Sequence, residues 1–314
     1  MKVFRGLQSI KRPFHRPIVT IGAFDGLHRA HQFILRKIVQ RARAVKGTAL
    51  LLTFHPHPLK VLRPNRPFSS LTCIEHRLQI LSRLGLDACV VLSFTKRFSR
   101  LSARDFIGKI LVKKLGISEL WVGFNYAFGR DREGDIQLLE VYGKRYRFTV
   151  RQIPEIRIGR RHFSSTRIRS LIAKGDLAKA SHFLGRPYSL YGKVVKGSGR
   201  GRTLGYPTAN LKPYHEAIPP KGVYGVRVFL PPDRLWYTGI LNIGNRPTFE
   251  KKSPLTLEVH LLDFRGDLYG RKIEVAFLKR IRPERTFPTK EALLQRIRRD
   301  ERIARRMRTN APIP

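Results

Sequence analysis

The first 125 residues alternate short apolar runs with segments whose apolar positions recur at helical spacing. Between the first two runs, for example, Phe33, Ile34, Ile38 and Ala42 fall on one face of a helical period. Short runs that are apolar throughout are typical of strands buried on both faces of a sheet. The predicted strands are residues 19–22, 49–54, 88–92 and 119–123. This alternation predicts an α/β unit built on a doubly wound parallel sheet.

The pattern changes after Pro187, where strand-like runs follow one another without intervening helices. Several of them alternate apolar and polar positions, and segments with Gly or Pro separate them. The runs are residues 189–195, 222–229, 236–243, 255–261 and 272–278. They predict a small antiparallel β-barrel, because closure leaves no exposed strand edge. A helix predicted near residues 289–307 ends the second pattern.

The change of pattern also defines the predicted domains. A helix over residues 176–184 is followed by Gly185, Arg186 and Pro187, a combination that ends helices. We therefore predict one domain over residues 1–184 and a second over residues 185–314. The basic opening segment, residues 1–17, has neither a long apolar core nor a small-residue cleavage site, so we expect it to belong to the first fold.

Charge and composition narrow the possible functions. The chain has 63 Lys plus Arg against 22 Asp plus Glu, which gives a formal net charge of +41. Such a surface attracts polyanions, but the excess is spread along globular segments, so we expect only non-specific nucleic-acid binding. No apolar run reaches the ~20 residues that span a bilayer, and the two cysteines form no CxxC pair. These features predict a cytoplasmic protein without membrane contact.

The loop between the first predicted strand and the first helix is rich in candidate site residues. The sequence VTIGAFDGLHRAHQ places Gly22, Phe24 and Asp25 in the loop, and His28 and His31 stand three positions apart. Ligands of open α/β sheets bind beyond the carboxyl ends of strands, and helix N-termini bind anions. We predict a phosphate site here, with both imidazoles on one helix face. An ordinary βα turn with two surface histidines is the alternative.

Further polar segments favour a site in the first domain. Asn125 lies in the predicted loop after residue 123, and residues 55–58 place two histidines after another strand. A helix that begins with SSTRIR offers Ser164, Thr166 and Arg167 to an anion. A well-capped helix with solvated arginines is the alternative for that segment.

A glycine-rich segment in the second domain is the other dense stretch. Gly197 and Gly201 allow backbone N–H groups to approach phosphates, although the segment lacks the Gly-Lys-Ser/Thr sequence of a Walker A loop. Thr208 and Asn210 offer oxygen ligands of the kind that Mg²⁺ prefers. Glu258 lies in an otherwise apolar predicted strand, and a lone carboxylate there predicts a catalytic role.

Together these motifs resemble those of the prokaryotic bifunctional riboflavin kinase/FMN adenylyltransferase family, from about Arg5 to Arg305. The motifs are GAFDGLHRAH, TFHPHP, VGFNYAFGRDREGD, SSTRIR, LGRPY, GRTLGYPTANL, KGVYG, NIGNRPTF, LEVHLLDF and GDLYG. The resemblance implies a nucleotidyltransferase-type sheet and a riboflavin-kinase-type barrel. It implies that riboflavin and ATP give FMN and ADP in the barrel. In the sheet, FMN and ATP would then give FAD and pyrophosphate.

In the sheet, the resemblance assigns His28 and His31 to the stabilisation of charge that develops at the α-phosphate of ATP. Asn125 would help to hold phosphate or a metal ion. Residues assigned to the polyphosphate lie at the start of one helix: Ser164, Thr166 and Arg167. The ATP-binding loop would be formed by Gly22, Phe24 and Asp25. Such a site works by positioning and electrostatics.

In the barrel, the resemblance assigns Thr208 and Asn210 to Mg²⁺–ATP. Glu258 would be the base that accepts a proton from a ribityl hydroxyl group of riboflavin. Gly197 and Gly201 would lie against the phosphates. The implied cofactor is Mg²⁺, and the implied partners are the small-molecule substrates riboflavin, FMN and ATP. The sequence predicts no particular oligomeric state.

One position departs from the family pattern, and three alternative functions follow from the sequence. The family usually has His-x-Gly-His, whereas this chain has Ala30 between its two histidines. Because the added methyl group can crowd a nucleotide, a riboflavin kinase with a weakened adenylyltransferase half is the first alternative. Zinc-dependent hydrolysis is the second, through His28, His31, His55 and His57. RNA binding by the basic surface and the arginine-rich final helix is the third.

Overall fold

The computed structural model describes residues 1–158, 161–197, 205–231, 233–245 and 255–307. The chain divides into two compact units. The first contains Met1–Phe68 and Ile74–Phe163, and the second contains Ser69–Cys73 and the chain from Ser164 onward. Within the described ranges, no helix is long and apolar enough to cross a membrane.

A six-stranded parallel sheet forms the centre of the first unit. Its strands are β1 (Lys2–Arg5), β2 (Pro17–Ile21), β3 (Thr48–His55), β4 (Ala88–Ser93), β5 (Glu119–Gly123) and β6 (Thr149–Ile153). They lie in the order β1-β4-β3-β2-β5-β6, and every neighbouring pair is parallel. The doubly wound parallel sheet predicted from the alternating pattern is therefore confirmed.

Helices cover both faces of this sheet, and the apolar central strands are therefore buried on both sides. Leu35 of α1 (Arg29–Ala44) and Ile80 of α3 (Ile74–Ser82) pack in one buried cluster with Ile18 of β2. Phe106 of a π-helix (Phe106–Val112) and Leu139 of α6 (Ile136–Tyr146) pack in a second cluster with Val19. Shorter helices are α2 (Pro58–Leu62), α4 (Lys96–Ser99) and α5 (Ala103–Asp105), and β7 (Arg157–Ile158) pairs with β8 (Arg161–His162).

The edge strands and one helix of the first unit differ from the sequence predictions. The apolar pattern does not predict β1 and β6, whose residues are mostly exposed. Because β1 pairs with β4, the opening segment does belong to the first fold, as predicted. Ser102 caps α5, but the chain then continues as a π-helix where the spacing of apolar residues predicts an ordinary helix. Apolar positions four apart share a face in both helix types, so a spacing such as that of Phe106 and Ile110 does not distinguish them.

The second unit contains a closed antiparallel barrel of six strands, which confirms the predicted architecture. The strands are β9 (Ser189–Val195), β10 (Ala209–Pro213), β11 (Gly222–Leu230), β12 (Leu235–Asn245), β13 (Leu255–Leu261) and β14 (Lys272–Arg282). They close in the order β10-β13-β12-β11-β14-β9. The sequence pattern does not predict β10, a short strand that ends in Pro213. Tyr224 and Phe277 are the largest side chains that are fully buried in the barrel unit.

The predicted terminal helix is present as α9 (Lys290–Arg306), and it packs on the outside of the barrel. Ala304 of this helix is buried against Val223 and Ile240. Asp300 anchors the same helix, because its Oδ2 accepts a hydrogen bond from Arg282 Nε at 2.8 Å. The Nε atom of Arg296 lies 3.0 Å from the other carboxylate oxygen. A nearly buried acid between two guanidinium groups therefore ties the terminal helix to β14.

The second unit also includes segments that precede the barrel in sequence. Helices α7 (Ser165–Ala173) and α8 (Leu177–Leu184) belong to it, as does the short segment Ser69–Cys73. Both the N–H and the hydroxyl group of Ser70 donate to Glu216 Oε2, at 2.7 Å each. Arg169 Nε donates to Ser69 O at 2.8 Å. The compact units thus differ in extent from the sequence domains 1–184 and 185–314, which remain a prediction.

Candidate functional sites

The strand order of the parallel sheet reverses between β2 and β5. From β2 the chain adds β3 and β4 on one side, and it later adds β5 and β6 on the other. In open α/β sheets, such a reversal opens a crevice beyond the carboxyl ends of the two strands, where ligands bind. Here the crevice lies between the loop that leads to His28 and His31 and the loop that contains Asn125.

Close packing shapes the loop between β2 and α1. Phe24, Gly26 and Leu27 have φ angles of 49°, 80° and 46°. Phe24 is buried, and a Cβ atom at Gly22 would lie 3.0 Å from its ring. The predicted residues Gly22 and Phe24 are therefore in contact, and together they fix the path of the loop that leads to the two histidines.

Asp25, the third predicted residue of this loop, lies beneath it. Its side chain is 1% exposed, and its Oδ1 atom is 3.8 Å from a guanidinium nitrogen of Arg77, which is 3% exposed. A buried carboxylate is costly unless a cation compensates it. Arg77 therefore neutralises the one acid of this loop, so that the loop does not repel an anion in the crevice.

His28 and His31 form a stacked imidazole pair at the start of α1. His28 is the N-cap residue, and its Nδ1 atom accepts a hydrogen bond from the backbone N–H of His31 at 3.3 Å. The ring centroids are 3.6 Å apart, and the ring planes differ by 14°. The structure thus brings the two predicted histidines together, with His28 just before the helix and Ala30 as its second residue.

The environment of His31 controls its proton state. Burial lowers the pKa of His31 well below its usual value, and the neighbouring His28 and Arg77 lower it further. Its Nδ1 atom is buried and has no hydrogen-bond partner in the described part of the chain. The ring of Phe24 lies 4.7 Å away, between centroids. The free protein therefore keeps His31 neutral near pH 7, and a bound polyphosphate would favour its protonated form.

Asn125 lies on the opposite side of the crevice, in the loop after β5. Asn125 is exposed, and its neighbour Phe124 is 45% exposed. The backbone N–H of Tyr126 donates to Gly123 O at 3.1 Å, which closes a tight turn around Asn125. The loop therefore presents an amide and an aromatic ring to solvent at the carboxyl edge of the sheet.

Half-buried aromatic side chains continue along this edge, at the carboxyl ends of β3 and β4 and in α4. The ring centroid of Phe54 lies 5.5 Å from that of Phe94 and 5.9 Å from that of Phe98. Partly exposed rings of this kind stack on planar ligands. The sequence prediction missed this cluster, because its members come from separate elements and show no common spacing.

The N-terminus of α7 is a capped helix start, as both interpretations of this segment predict, and the structure assigns it to the second unit. Ser164 is the N-cap residue, and its hydroxyl oxygen accepts a hydrogen bond from the Arg167 N–H at 3.2 Å. The Arg167 guanidinium lies over the ring of Phe183, at 5.3 Å from its centroid. Thr166 is exposed one position earlier. The N–H groups in the first turn of a helix have no partners within the helix, and an anion can bind there.

A row of polar residues crosses the outside of the barrel. Asn210 of β10 pairs directly with Glu258 of β13, and Glu258 pairs on its other side with Asn242 of β12. Paired residues of antiparallel strands direct their side chains to the same face. Thr208 precedes β10 by one residue, and a Cβ atom at Gly197 would overlap the carboxamide of Asn210. The structure therefore brings four predicted residues together: Gly197, Thr208, Asn210 and Glu258.

The position of Glu258 corrects the sequence interpretation of this strand. Leu257, Val259 and Leu261 are buried, whereas Thr256, Glu258 and His260 are partly exposed. Glu258 is therefore an ordinary member of the polar face and not a lone acid among apolar neighbours. Asn242 is the residue that the sequence prediction missed, because strand register is needed to place it beside Glu258. Gly201 lies outside the described residues.

Two of the four histidines of the zinc hypothesis, His28 and His57, cap helices in the structure. His28 and His57 each use Nδ1 to accept a backbone hydrogen bond at a helix N-cap, at 3.3 and 3.2 Å. In the part of the chain that the structure covers, no group of three or more His, Cys, Asp or Glu side chains could hold a metal ion. The geometry favours an anion site over a zinc site.

A ligand crevice in a doubly wound sheet and a polar row on a closed barrel indicate an enzyme with two separate sites. Family models agree with this division, because FAD synthetase matches residues 11–167 and riboflavin kinase matches residues 184–308. Over 306 residues, the chain is 38% identical to the bifunctional riboflavin kinase/FMN adenylyltransferase of Escherichia coli (strain K12), with 97% of each chain covered. The enzyme of the same name from Pseudomonas fluorescens is equally similar, at 38% identity and the same coverage. The chain therefore belongs to the bifunctional riboflavin kinase/FMN adenylyltransferase family.

A solved structure shares the fold. The crystal structure of a protein described as a macrolide-efflux protein from Streptococcus pneumoniae is 31% identical to this chain, with a TM-score of 0.83. The match covers 98% of this chain and 99% of that chain. The family resemblance inferred from the motifs is confirmed, and the protein is an enzyme with riboflavin kinase and FMN adenylyltransferase domains.

Proposed function

We propose that this protein converts riboflavin into FAD in two ATP-dependent steps. In the barrel, riboflavin and ATP give FMN and ADP; in the parallel sheet, FMN and ATP give FAD and pyrophosphate. The observation that carries this proposal is the presence of both polar clusters, each within the residues matched by the corresponding family model.

In the kinase step, the oxygen of the terminal ribityl hydroxyl group attacks the γ-phosphorus of ATP, and Glu258 accepts the proton of that hydroxyl group. The bond between the γ-phosphorus and the bridging oxygen breaks, and ADP leaves. Thr208 and Asn210 offer a hydroxyl and an amide oxygen, which are suitable ligands for Mg²⁺. When bound, Mg²⁺ neutralises charge on the phosphates. The pairing of Asn210 with Glu258 supports this assignment, since it sets the nucleotide side of the site next to the base.

In the adenylyl transfer step, an oxygen of the FMN phosphate attacks the α-phosphorus of ATP, and pyrophosphate leaves. His28 and His31 stabilise the charge that develops at the α-phosphate, by hydrogen bonding and, once protonated, by their charge. Their stacking at 3.6 Å supports a shared target, because both rings present edges on the same side of α1. Neither histidine forms a covalent bond in this step.

Several other residues are assigned to substrate binding in the same step. Asn125 is assigned to phosphate or metal binding, and the flavin ring is assigned to the aromatic cluster of Phe54, Phe94 and Phe98. The residues assigned to the polyphosphate are Ser164, Thr166 and Arg167. We place both reactions in the cytoplasm, where ATP and Mg²⁺ are available, and expect nucleic acid to bind only non-specifically.

Incubation of the full chain with riboflavin, ATP and Mg²⁺ tests the proposal, with FMN and FAD separated by chromatography. FMN should appear first and FAD afterwards. If FMN accumulates and FAD does not form even from added FMN, the chain is a riboflavin kinase alone. Glu258→Gln should abolish FMN formation and leave the conversion of FMN to FAD intact. Parallel loss of both reactions in this variant would contradict two separate sites.

A further inference from the structure

A second carboxyl group lies beside the polar row of the barrel. Glu284 follows the end of β14 by two residues, and any Cβ atom at Gly244 of β12 would overlap its carboxyl group. Gly244 lies two positions after Asn242, so the two residues face the same side of the strand. Asn242 is paired with Glu258. Glu284 therefore occupies the face of the barrel on which the proposed catalytic base stands, one pair further along the strands.

Neither of these acids forms an ion pair within the described ranges, although the chain is strongly basic. Lys plus Arg exceed Asp plus Glu by 63 to 22. Several other acids of this unit are paired, such as Asp263 with Arg305 and Asp300 with Arg282. In these ranges, the side chains of Glu258 and Glu284 form no hydrogen bond or ion pair. Because an ionised carboxylate only accepts hydrogen bonds, both groups suit a ligand that donates them.

The order of the strands separates Glu284 from the proposed metal ligands. Asn210 lies on β10, Glu258 on the next strand β13, and Glu284 against β12 beyond it. Two strand spacings amount to roughly 9.5 Å, whereas Mg²⁺ binds its ligands at about 2.1 Å. One Mg²⁺ ion at Asn210 therefore does not reach Glu284. If ATP binds on the Asn210 side of the base Glu258, riboflavin binds on the Glu284 side.

We propose that Glu284 accepts hydrogen bonds from internal ribityl hydroxyl groups of riboflavin and thereby selects a flavin with an intact hydroxylated side chain. This inference rests on the proposed kinase function. Glu258 removes the proton of the reacting terminal hydroxyl group, and Glu284 holds the chain that leads to it. Glycine at position 244 is required because any side chain there would displace the Glu284 carboxyl group.

The test compares Glu284→Ala and Glu284→Gln with the unaltered full chain in the riboflavin kinase reaction. Loss of a hydrogen bond to a charged group should raise the KM for riboflavin about ten- to a hundredfold in Glu284→Ala. Glu284→Gln keeps an acceptor oxygen and should have a smaller effect. The KM for ATP, the Mg²⁺ dependence and the conversion of FMN to FAD should change less than about twofold. Glu291→Gln, an exposed acid of α9, is the matched control.

A riboflavin analogue that lacks one internal ribityl hydroxyl group provides an independent readout. It should be a poorer substrate than riboflavin for the unaltered chain, and Glu284→Ala should reduce that difference. An unchanged KM for riboflavin in folded Glu284→Ala would overturn the inference. A shift in the KM for ATP or in the Mg²⁺ dependence would do so as well, because it would place Glu284 at the nucleotide. Failure of the unaltered chain to form FMN would instead refute the proposed function.

Discussion

Gly197 is the position where one methyl group should separate the two proposed reactions. A Cβ atom at residue 197 would overlap the carboxamide of Asn210. Gly197 is exposed and has no left-handed backbone angle, so alanine introduces no backbone strain there. The clash falls on the end of a side chain that can rotate. Gly197→Ala should therefore turn the Asn210 amide out of its place and leave the barrel folded.

The magnitude follows from the role assigned to Asn210. Loss of one interaction with a charged phosphate or metal group costs about 1.5–3 kcal/mol. Since 1.4 kcal/mol corresponds to about a tenfold change in rate, kcat/KM for ATP in the kinase reaction should fall about 10- to 150-fold. The free energy of unfolding should change by less than about 1 kcal/mol, because no buried contact is lost.

The assay measures FMN formation at varied ATP and, separately, FAD formation from added FMN. Gly197→Ala should slow only the first reaction, because the stacked histidines belong to the other unit. Gly108→Ala is the control, since its Cβ atom would come no closer than 3.9 Å to the Tyr146 hydroxyl group. If the change acts through Asn210, then Gly197→Ala should add little to the effect of Asn210→Ala.

Three results would refute this reasoning. Unchanged kinase activity in Gly197→Ala would mean that the Asn210 amide is not used. Equal loss of both reactions would indicate general misfolding. Full additivity with Asn210→Ala would show that the methyl group acts on something else.

Two further predictions concern stability. Asp300 pairs with the guanidinium groups of Arg282 and Arg296, which are only 11% and 18% exposed. Asp300→Ala removes their carboxylate, so the free energy of unfolding in urea should fall by about 3–5 kcal/mol. Asp105→Ala, in an exposed ion pair, should cost less than about 1 kcal/mol, and equal losses would contradict the role of burial. Burial lowers the pKa of His31 below the ~6.5 of an unfolded histidine, so the unfolded chain is protonated first and stability falls below about pH 6.5. His31→Gln should therefore lose less stability between about pH 7.5 and 5.5 than the unaltered chain does. His15→Gln, at an exposed histidine, is the control, and an equal loss of stability in the two variants would refute this assignment.

The sequence predicts the central strands well because burial on both faces removes polar residues from them. In β3, for example, residues 49–53 are all buried, and the run stands out without any alignment. The edge strands β1 and β6 bury few side chains, so their composition resembles that of a loop. The strand β10 is equally inconspicuous, because it is short and ends in proline. What the sequence pattern predicts is burial, and strands that lack burial are missed.

The candidate sites were predictable as motifs but not as arrangements. The proximity of His28 and His31 follows from their spacing at a helix start, and the structure adds the stacking and the cap. The pairing of Asn210 with Glu258 depends on strand register, which the sequence does not specify. The strand around Glu258 contained a usable signal, since Thr256, Glu258 and His260 alternate with apolar residues. A period of two identifies the polar face without identifying its neighbours.

The acids of the two proposed sites differ in whether they are paired with a cation, and the charges of the acceptor substrates explain the difference. Both sites take ATP, but the acceptor substrate of the sheet, FMN, is an anion too. An uncompensated carboxylate in the crevice of the sheet would therefore oppose the binding of both substrates, and Asp25 is paired with Arg77. In the barrel, the acceptor substrate riboflavin is neutral and donates hydrogen bonds through its ribityl hydroxyl groups. Acids that form no ion pair within the described ranges, Glu258 and Glu284, therefore suit the riboflavin side of that site. The net charge of +41 accordingly favours the encounter with ATP and FMN but gives no advantage to riboflavin. Recognition of riboflavin must therefore come from local hydrogen bonds and stacking, and this is the role that we propose for these two acids.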